Sequence, residues 1–241
     1  MLFAHSKLQC AFWHLSNSNR NEMENKTYIP ALGYDFLSEY YDLTIKLTMP
    51  EKKFRTKLID WLNPLSCESI LEFGFGTAQN LILLKQRKPE ALAQGVDIDP
   101  KIKSIAEYKL RKQSLEVPLH LYDGNTLPFA DNSFDKVFSS LVFHQLDAET
   151  KLHCLKELHR VLKPNGKLII GDWGGAKNKW MRFSFYAVQL LDGFKTTNDN
   201  VNGLMPQFIS DAGFQQVSEV DFINTKIGTY SYYTATKPHT L

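Results

Sequence analysis

The sequence has few cysteines, no long apolar run and almost no net charge, and each absence excludes a class of protein. The three cysteines in 241 residues, Cys10, Cys67 and Cys154, are scattered and odd in number. They provide neither a disulfide framework nor the CxxC spacing of a metal site. No apolar run approaches the roughly 20 residues that a membrane span needs, and a net charge of +2 is too small to indicate nucleic-acid binding. We therefore expect no metal site, no nucleic-acid partner and a reducing, cytoplasmic environment.

The first 22 residues do not read as a targeting segment. Their apolar patch is short and broken, and they lack both the continuous apolar region and the small-residue cleavage site of a signal peptide. We predict a disordered extension over 1–22, with a short helix packed on the domain as the alternative. On the first interpretation, removing 1–22 leaves the melting temperature and ligand binding unchanged, whereas a drop of several degrees would show the segment to be structural.

What the sequence does contain is an alternation of helix and strand patterns. Apolar residues at helical spacing predict a helix over 36–49 and a second one after Pro50, which Asn63-Pro64 ends. Short apolar runs then predict buried strands at 69–74, 93–98, 118–124, 134–143 and 167–173. Helical patterns lie between them at 77–88, about 100–113 and 148–162. This order predicts a parallel sheet with helices on both faces, wound by right-handed crossovers.

The end of the chain adds an antiparallel element. Helices are predicted over about 179–193 and 200–212, followed by strands at 214–223 and 228–237. The short gap between these strands makes a hairpin, so the last strand must run antiparallel to its neighbour. The predicted fold is α/β: a Rossmann-like, doubly wound, seven-stranded and mostly parallel sheet whose last strand is antiparallel. We expect a helical cap over 23–64 and a ligand-binding domain over 65–241.

The stretch ILEFGFGTAQN over 70–80 carries Gly74 and Gly76 at the end of the first predicted strand. Ligands of a doubly wound sheet bind at the carboxyl ends of its strands, where glycines let the backbone pass close to a nucleotide. A dinucleotide loop needs G-x-G-x-x-G, but the third position holds Gln79. Glu72 would also repel a pyrophosphate, whereas it would attract an ammonium or a sulfonium. The loop therefore favours S-adenosylmethionine, which carries both cations and no phosphate.

Two further carboxylates agree with an adenosine ligand. Asp97 ends the second strand, about 20 residues beyond the glycine loop, where a carboxylate can accept hydrogen bonds from both ribose hydroxyls. Asp123 ends the third strand, where it can accept from the adenine amino group. The backbone N–H groups of Gly124 and Asn125 can donate to ring nitrogens.

Four blocks of sequence carry a family resemblance: ILEFGFGTA, GVDIDPK, YDGNTLPFADNSFDKV and LHRVLKPNGKLIIGDWG. In this order and spacing they resemble the class I S-adenosylmethionine-dependent methyltransferases, in particular the type 11 small-molecule enzymes and the quinone-biosynthesis C-methyltransferases. The resemblance covers roughly 35–237 and implies the cofactor contacts. It assigns the methionine end to Glu72, Gly74, Gly76 and Thr77, the ribose to Asp97 with Ile98 packing on the adenine, the adenine to Asp123 and Gly124, and the methyl end to Ser140 and Leu141. The departures are Ala78 for the usual third glycine and Phe75 between the glycines.

The family chemistry needs few catalytic side chains, because the sulfonium is already activated and the protein mainly aligns donor and acceptor. His144 follows the fourth strand at the methyl end and is the candidate general base, with a structural role as the alternative. Tyr41 matches the YD of the N-terminal lid of relatives and is expected to contact the methionine end or the acceptor. Burial in the core is the alternative for Tyr41.

The acceptor is expected to be a small apolar or aromatic molecule. Ser139-Ser140-Leu141-Val142 stands where enzymes that methylate amino nitrogens carry [DNS]-P-P-[YF], and the Pro-Cys of cytosine C5 enzymes does not occur. The predicted helix over 179–194 is apolar on more than one face, which suits an apolar acceptor pocket or a core helix. Lys177, Lys179 and Arg182 at its start can reach anionic headgroups, so a membrane lipid or quinone acceptor and peripheral membrane contact stay open.

Two other classes of function remain as alternatives. The first is an NAD(P)-dependent oxidoreductase on the same sheet, which Glu72 and Gln79 disfavour. The second is a non-catalytic protein that binds S-adenosylmethionine as a sensor or partner subunit, because so little of this catalysis depends on identifiable side chains. Turnover of any acceptor separates the second alternative from the enzyme.

Overall fold

The computed structural model describes residues 49–186, 189 and 194–239. Its helices are α1 (Glu51–Leu62), α2 (Gln79–Arg87), α3 (Pro100–Lys112), α4 (Ala148–Val161), α5 (Lys179–Ser184), α6 (Phe194–Val201) and α7 (Met205–Asp211). Its strands are β1 (Ser69–Phe73), β2 (Leu92–Asp97), β3 (Leu119–Leu121), β4 (Phe134–Ser140), β5 (Leu162–Trp173), β6 (Gln215–Asn224) and β7 (Thr229–Thr236). A 3₁₀ turn over Phe143–Gln145 joins β4 to α4. The predicted helix over 36–49 lies, apart from Met49, outside the described residues, as does Tyr41.

The strands form one sheet in the order β3-β2-β1-β4-β5-β7-β6. Neighbours from β3 to β5 pair in parallel, whereas β7 is antiparallel to both β5 and β6. The predicted doubly wound sheet and its antiparallel last strand are confirmed. The strand order reverses between β1 and β4, so the carboxyl ends of these two strands border the crevice in which such sheets bind ligands.

Two apolar layers cover the two faces of the sheet, and alternation along β1 shows how residues are assigned to them. Ile70 packs with the layer that contains Phe54 and Leu58 of α1, whereas Leu71 and Phe73 pack with the layer under α4 and α7. Successive side chains of a strand point to opposite faces. Glu72 therefore lies on the same face as Ile70, toward α1 and α2.

The predicted start of α3 is confirmed, and a side chain caps it. The Asp99 carboxylate accepts from the backbone N–H groups of Lys101 and Ile102, and Pro100 occupies the first turn of α3, as predicted. The predicted helix over 200–212 is instead two helices, because Gly203 adopts a left-handed φ of +75° between α6 and α7. The predicted strand over 134–143 ends at Ser140, since Leu141 turns the chain with a φ of +58°.

The domain division stays a prediction. Residues 1–48 lie outside the described part, so neither the extension over 1–22 nor most of the cap over 23–64 is tested. The part of the cap that is described, α1, packs against the sheet, where its Phe54 carbonyl accepts from the Tyr232 hydroxyl at 2.9 Å. No helix of the described residues is both long and apolar enough to cross a membrane.

Candidate active site

The loop after β1 is shaped by backbone conformations that favour glycine. Gly74 has a φ of +71° and Gly76 a φ of +51°. A Cβ atom on Gly74 would overlap the side chain of Val142, whereas one on Gly76 would meet open space. The Gly76 N–H donates to Asp97 Oδ2 at 3.0 Å. This hydrogen bond fixes the loop to the end of β2 and keeps the loop backbone close to the crevice.

A cavity of about 520 Å³ lies at the carboxyl ends of β1, β2 and β4. This volume is in the range of small-molecule and cofactor sites. Predicted cofactor residues that line it are Gly74, Gly76, Thr77, Asp97, Ile98, Gly124, Ser140 and Leu141. The fold thus brings together, around one cavity, residues that are more than 60 positions apart in the chain.

Glu72 is the predicted methionine-end residue that stands behind the cavity wall. Its side chain is fully buried, and Oε1 accepts from Asn80 Nδ2 at 2.7 Å. Oε2 has no hydrogen-bond partner. Burial raises the pKa of this carboxyl to about 8, against the smaller opposing effects of the Asn80 hydrogen bond and the Arg55 charge. A cationic ligand group in the cavity, such as an ammonium, would favour the ionised form of this carboxyl, because opposite charges attract.

Asp97 lines the cavity and is held in place by the backbone. Oδ1 accepts from the N–H groups of Ile98 and Asp99 at 2.8 and 3.2 Å, and Oδ2 accepts from Gly76. Burial raises its pKa, although these three hydrogen bonds lower it. A carboxylate has about four lone-pair positions, so it can still accept from ligand hydroxyls. This arrangement fits the predicted ribose contact.

Asp123 follows β3 and lies apart from the described cavity wall. Its side chain is exposed and is not among the described residues that line the cavity. Oδ1 accepts from the N–H groups of Asn125 and Thr126, and these hydrogen bonds lower its pKa. Asp123 therefore stabilises the turn that presents Gly124 and Asn125 to the cavity. Its proposed contact with adenine stays a prediction.

His144 is buried in the 3₁₀ turn and faces Asp172 at the end of β5. Nδ1 lies 2.7 Å from Asp172 Oδ1, and the His144 backbone N–H donates to Oδ2 at 3.3 Å. With Asp172 ionised, Nδ1 carries the proton and Nε2 is the basic nitrogen. Val142 and Gln145 line the cavity, but His144 is not among the described lining residues. Trp173 is buried and packs on Phe185 and near His144.

Arg55 and Asn80 are among the residues of the cavity wall that the sequence reasoning missed. Arg55 on α1 and Asn80 at the start of α2 both line the cavity, and Arg55 Nη1 donates to Asn80 Oδ1 at 2.8 Å. Asn80 shares the buried face of α2 with Leu81 and Leu84, and an amide on that face is the signal that could have identified it. Arg55 has no such signal, because a charged residue on α1 is usually solvated.

Comparison with known proteins decides the family. Residues 71–170, from β1 into β5, match the family model described as "Methyltransferase domain". A demethylmenaquinone methyltransferase from Bacteroides fragilis is 29% identical over 231 residues, covering 86% of this chain and 89% of the relative. One from Thermus thermophilus is 33% identical over 132 residues, covering 54% of this chain and 59% of the relative.

The chain is a class I S-adenosylmethionine-dependent methyltransferase. The resemblance predicted from the four sequence blocks is confirmed, and with it the enzyme class and S-adenosylmethionine as the cofactor.

The solved structures give the fold of the methyltransferase independently. Phosphoethanolamine N-methyltransferase 2 from Haemonchus contortus, in complex with S-adenosyl-L-methionine, has a TM-score of 0.66 at 14% identity. The match covers 87% of this chain and 59% of that protein. At this identity the likeness shows the fold alone.

Proposed function

We propose that the methyltransferase binds S-adenosylmethionine in the 520 Å³ cavity and transfers its methyl group to a small apolar or aromatic acceptor. The observation that carries the proposal is the Gly76–Asp97 contact, which joins the glycine loop to the ribose-binding position on one cavity wall. The methionine end would lie over Gly74, Gly76 and Thr77, near buried Glu72. The adenosine would extend over Asp97 and Ile98 toward Gly124.

The chemistry of the site supports this ligand over a nicotinamide dinucleotide. Glu72 is a buried carboxyl group whose Oε2 lacks a partner. A pyrophosphate beside it would repel its ionised form, whereas an ammonium or a sulfonium would stabilise that form. Gln79 also stands where a dinucleotide loop needs its third glycine. When bound, the cofactor supplies a methyl group on a sulfonium, and the chain has to orient the acceptor in line with it and exclude water.

His144 and Asp172 form the base that we propose for acceptors that must lose a proton. The 2.7 Å contact holds the ring with Nδ1–H toward Asp172, so that Nε2 can take the acceptor proton. Asp172 is fully buried and also accepts from the Trp173 N–H at 2.7 Å, so its orientation is fixed. Tyr41 is proposed to contact the methionine end or the acceptor and lies outside the described residues.

An aromatic, quinol-type acceptor is the substrate class that we favour. The two relatives named above are called demethylmenaquinone methyltransferases. A quinol hydroxyl that gives up its proton to a base makes the aromatic ring a better nucleophile, which suits a site with a histidine base. Trp173 at the carboxyl end of β5 packs on Phe185 and near His144, and these buried rings form an apolar surrounding for the proposed base.

Peripheral contact with an anionic lipid surface would give such an enzyme access to a lipid-soluble acceptor. Trp180 and Phe183 on α5 are 70% and 66% exposed, and their rings lie 5.9 Å apart. Tyr186 continues the row, with the Arg182 guanidinium 4.6 Å from its ring centroid. Exposed aromatic rings next to basic side chains fit the interface of a bilayer with anionic headgroups.

Vesicle sedimentation tests this contact. We expect binding to phosphatidylglycerol vesicles that exceeds binding to phosphatidylcholine vesicles and falls in a Trp180→Ala/Phe183→Ala variant. Tyr108→Ala is the matched control, because Tyr108 is 61% exposed on α3, among lysines and arginines but away from α5. Equal loss in both variants, or no vesicle binding by the wild type, would remove the proposed contact.

The methyltransferase is proposed to work in the cytoplasm, where a reducing environment keeps thiols free. Among the described residues, Cys67 is exposed and Cys154 is buried, and both are free thiols. The second candidate function is a cofactor-binding sensor without turnover. The burial of His144 behind the described cavity wall is the observation that favours it.

Calorimetric titration with S-adenosylmethionine, S-adenosylhomocysteine and NADH is the experiment that tests the proposed function. We expect micromolar binding of the first two ligands and none of NADH, followed by turnover in a screen of quinols, phenols and lipid amines. Binding of NADH alone would contradict the cofactor site. Cofactor binding without turnover of any acceptor would favour the sensor. Absence of all binding would make Phe75, which lies between the two glycines of the loop and lines the cavity, the first residue to replace.

A further inference from the structure

Two hydroxyl groups meet at the end of β4, where the methyl end of the cofactor is expected. Ser140 Oγ lies 2.9 Å from the Tyr230 hydroxyl, which reaches it from β7 across β5. Ser140 is partly buried and lines the cavity, whereas Tyr230 is fully buried behind it. The two residues are 90 positions apart in the chain, so the order of the strands is what brings them together.

The Tyr230 side chain is fixed by its neighbours. The ring centroids of Phe54 and Tyr232 lie 4.9 and 5.1 Å from its own. Its hydroxyl passes over Gly171 of β5, where a Cβ atom would overlap it. Burial raises the pKa of Tyr230 well above its usual value, so the hydroxyl keeps its proton. A protonated and immobile tyrosine hydroxyl therefore stands directly behind the cavity wall.

The surroundings of the two hydroxyls indicate which of them donates. Ser140 Oγ is the hydrogen-bond partner that the described residues offer to the Tyr230 hydroxyl. If Ser140 donated, the Tyr230 proton would be buried among aromatic rings without an acceptor, which is costly. With Tyr230 as the donor, Ser140 Oγ accepts and its own proton is available to a ligand in the cavity. This second arrangement satisfies both hydroxyls once a ligand oxygen is present.

We propose that the Ser140 hydroxyl donates a hydrogen bond to the oxygen of a phenol- or quinol-type acceptor, and that Tyr230 is the positioning residue that fixes its direction. The inference rests on the proposed function, since it requires an aromatic acceptor beside the cofactor. A hydrogen bond to the ionised form of a group favours that form. Ser140 would thus stabilise the negative charge that the acceptor carries after it loses its proton, as a donor of an oxyanion hole does.

A purely structural role is the competing explanation, because the same contact ties β4 to β7. Tyr232 offers a matched control on the same strand and in the same apolar layer. Its hydroxyl donates to the Phe54 carbonyl at 2.9 Å, and Tyr232 is not among the described residues that line the cavity. Each of the two Tyr→Phe substitutions removes one buried hydrogen bond, so both should lower the melting temperature to a similar degree.

The test compares α-naphthol with naphthalene, which has the same rings without the oxygen. Affinities are measured by fluorescence titration in protein saturated with S-adenosylhomocysteine, and their ratio isolates the contribution of the oxygen. We expect Ser140→Ala to lower this ratio by about 5- to 10-fold, through weaker binding of naphthol alone. Tyr230→Phe should lower it by about threefold and Tyr232→Phe should leave it unchanged. Because Tyr230 acts through Ser140, Tyr230→Phe should have no further effect on the ratio in Ser140→Ala.

The outcomes separate the hydroxyl contact from the cofactor site as a whole. An unchanged ratio in Ser140→Ala would refute the donor, and additive losses in the double variant would refute Tyr230 as its positioning residue. An equal fall in Tyr232→Phe would reduce the effect to packing.

Failure of the proposed function gives a different result. A wild type that does not bind S-adenosylhomocysteine would overturn that function. One that binds it but neither aromatic compound would overturn the aromatic acceptor, and this inference with it. If Tyr230→Phe does not fold, Ser140→Ala decides, because alanine removes a single oxygen from a partly buried position.

Discussion

The two halves of the crevice are built in different ways. The half proposed for the cofactor, the cofactor half, comprises the loop over 74–78 and the end of β2 at 97–99. It uses backbone groups, as in the Gly76 N–H contact with Asp97. The half proposed for the acceptor, the acceptor half, comprises the 3₁₀ turn over 143–145, the end of β5 and α5. It uses side chains such as His144 and Asp172. Backbone requirements restrict residue types tightly, whereas side-chain contacts can be met in many ways. From this difference we expect related enzymes to share the cofactor and to differ in the acceptor.

The largest effect is expected where the backbone has no freedom. Gly74→Val should abolish measurable cofactor binding in a folded protein, because a left-handed φ and the Val142 side chain both exclude a Cβ atom. Gly76→Ala is the control, since a Cβ atom there meets no neighbour and only its φ is strained, so binding should be reduced and not lost. Equal effects of the two substitutions in calorimetry would contradict the close approach at Gly74.

The next prediction compares the two acidic residues that follow β2 and β3. Asp97→Ala should weaken S-adenosylmethionine binding by about 100-fold, since a charge-assisted contact with both ribose hydroxyls is lost. Asp123→Ala should have an effect of about threefold or less, because Asp123 caps an exposed turn and does not line the described cavity wall. Wild-type affinity in folded Asp97→Ala would refute the ribose assignment, and comparable losses in both variants would restore Asp123 as an adenine contact.

In the acceptor half we expect an effect on turnover and not on cofactor affinity. His144→Asn should lower kcat by about 10²- to 10⁴-fold for a proton-bearing acceptor and leave S-adenosylmethionine affinity unchanged. Asp172→Asn should shift the pH dependence of kcat, because the ring loses the carboxylate that holds Nδ1–H. If cofactor affinity falls together with kcat in His144→Asn, the histidine is part of the scaffold of the site and not its base.

The most gradual effect should come from pH acting on Glu72. Its carboxyl has a pKa of about 8 in the folded protein and 4.5 as the reference value. The folded state therefore binds more protons than the unfolded state between these values, so this group lowers the free energy of unfolding as pH rises from 4.5 toward 8. A cationic ligand prefers the ionised form, so cofactor affinity should rise with pH, by about tenfold per unit at most, and level off above pH 8.

Glu72→Gln should abolish this pH dependence and bind the cofactor with a weak, constant affinity. The measurement is calorimetry across pH 6 to 9 in buffers of different ionisation enthalpy, where the wild type should release a proton on binding below pH 8. A wild-type affinity that does not change with pH would contradict the contact between Glu72 and the ammonium.

The sequence indicates residues whose position depends on backbone conformation better than residues whose position depends on side-chain contacts. The positions of Gly74, Gly76 and Asp97 in the cavity wall could be predicted, because a left-handed turn and a carboxylate at a strand end occur at a fixed spacing in the sequence. Asp123 has that spacing as well, but its carboxylate satisfies the local turn, which spacing alone does not reveal. No local sequence pattern identifies Arg55, because its partner Asn80 is 25 positions away on another helix.

The sequence by itself determined the order of strands and helices, the antiparallel hairpin at the end, and the cofactor loop. These follow from local physics: periodicity, proline and glycine conformations, and side-chain caps such as Asp99. Only the tertiary structure decided which side chains meet, as for His144 with Asp172 and for Arg55 with Asn80 and Glu72. Such contacts depend on how the elements pack on the sheet, and the burial of Glu72, which changes its pKa, exists only after packing.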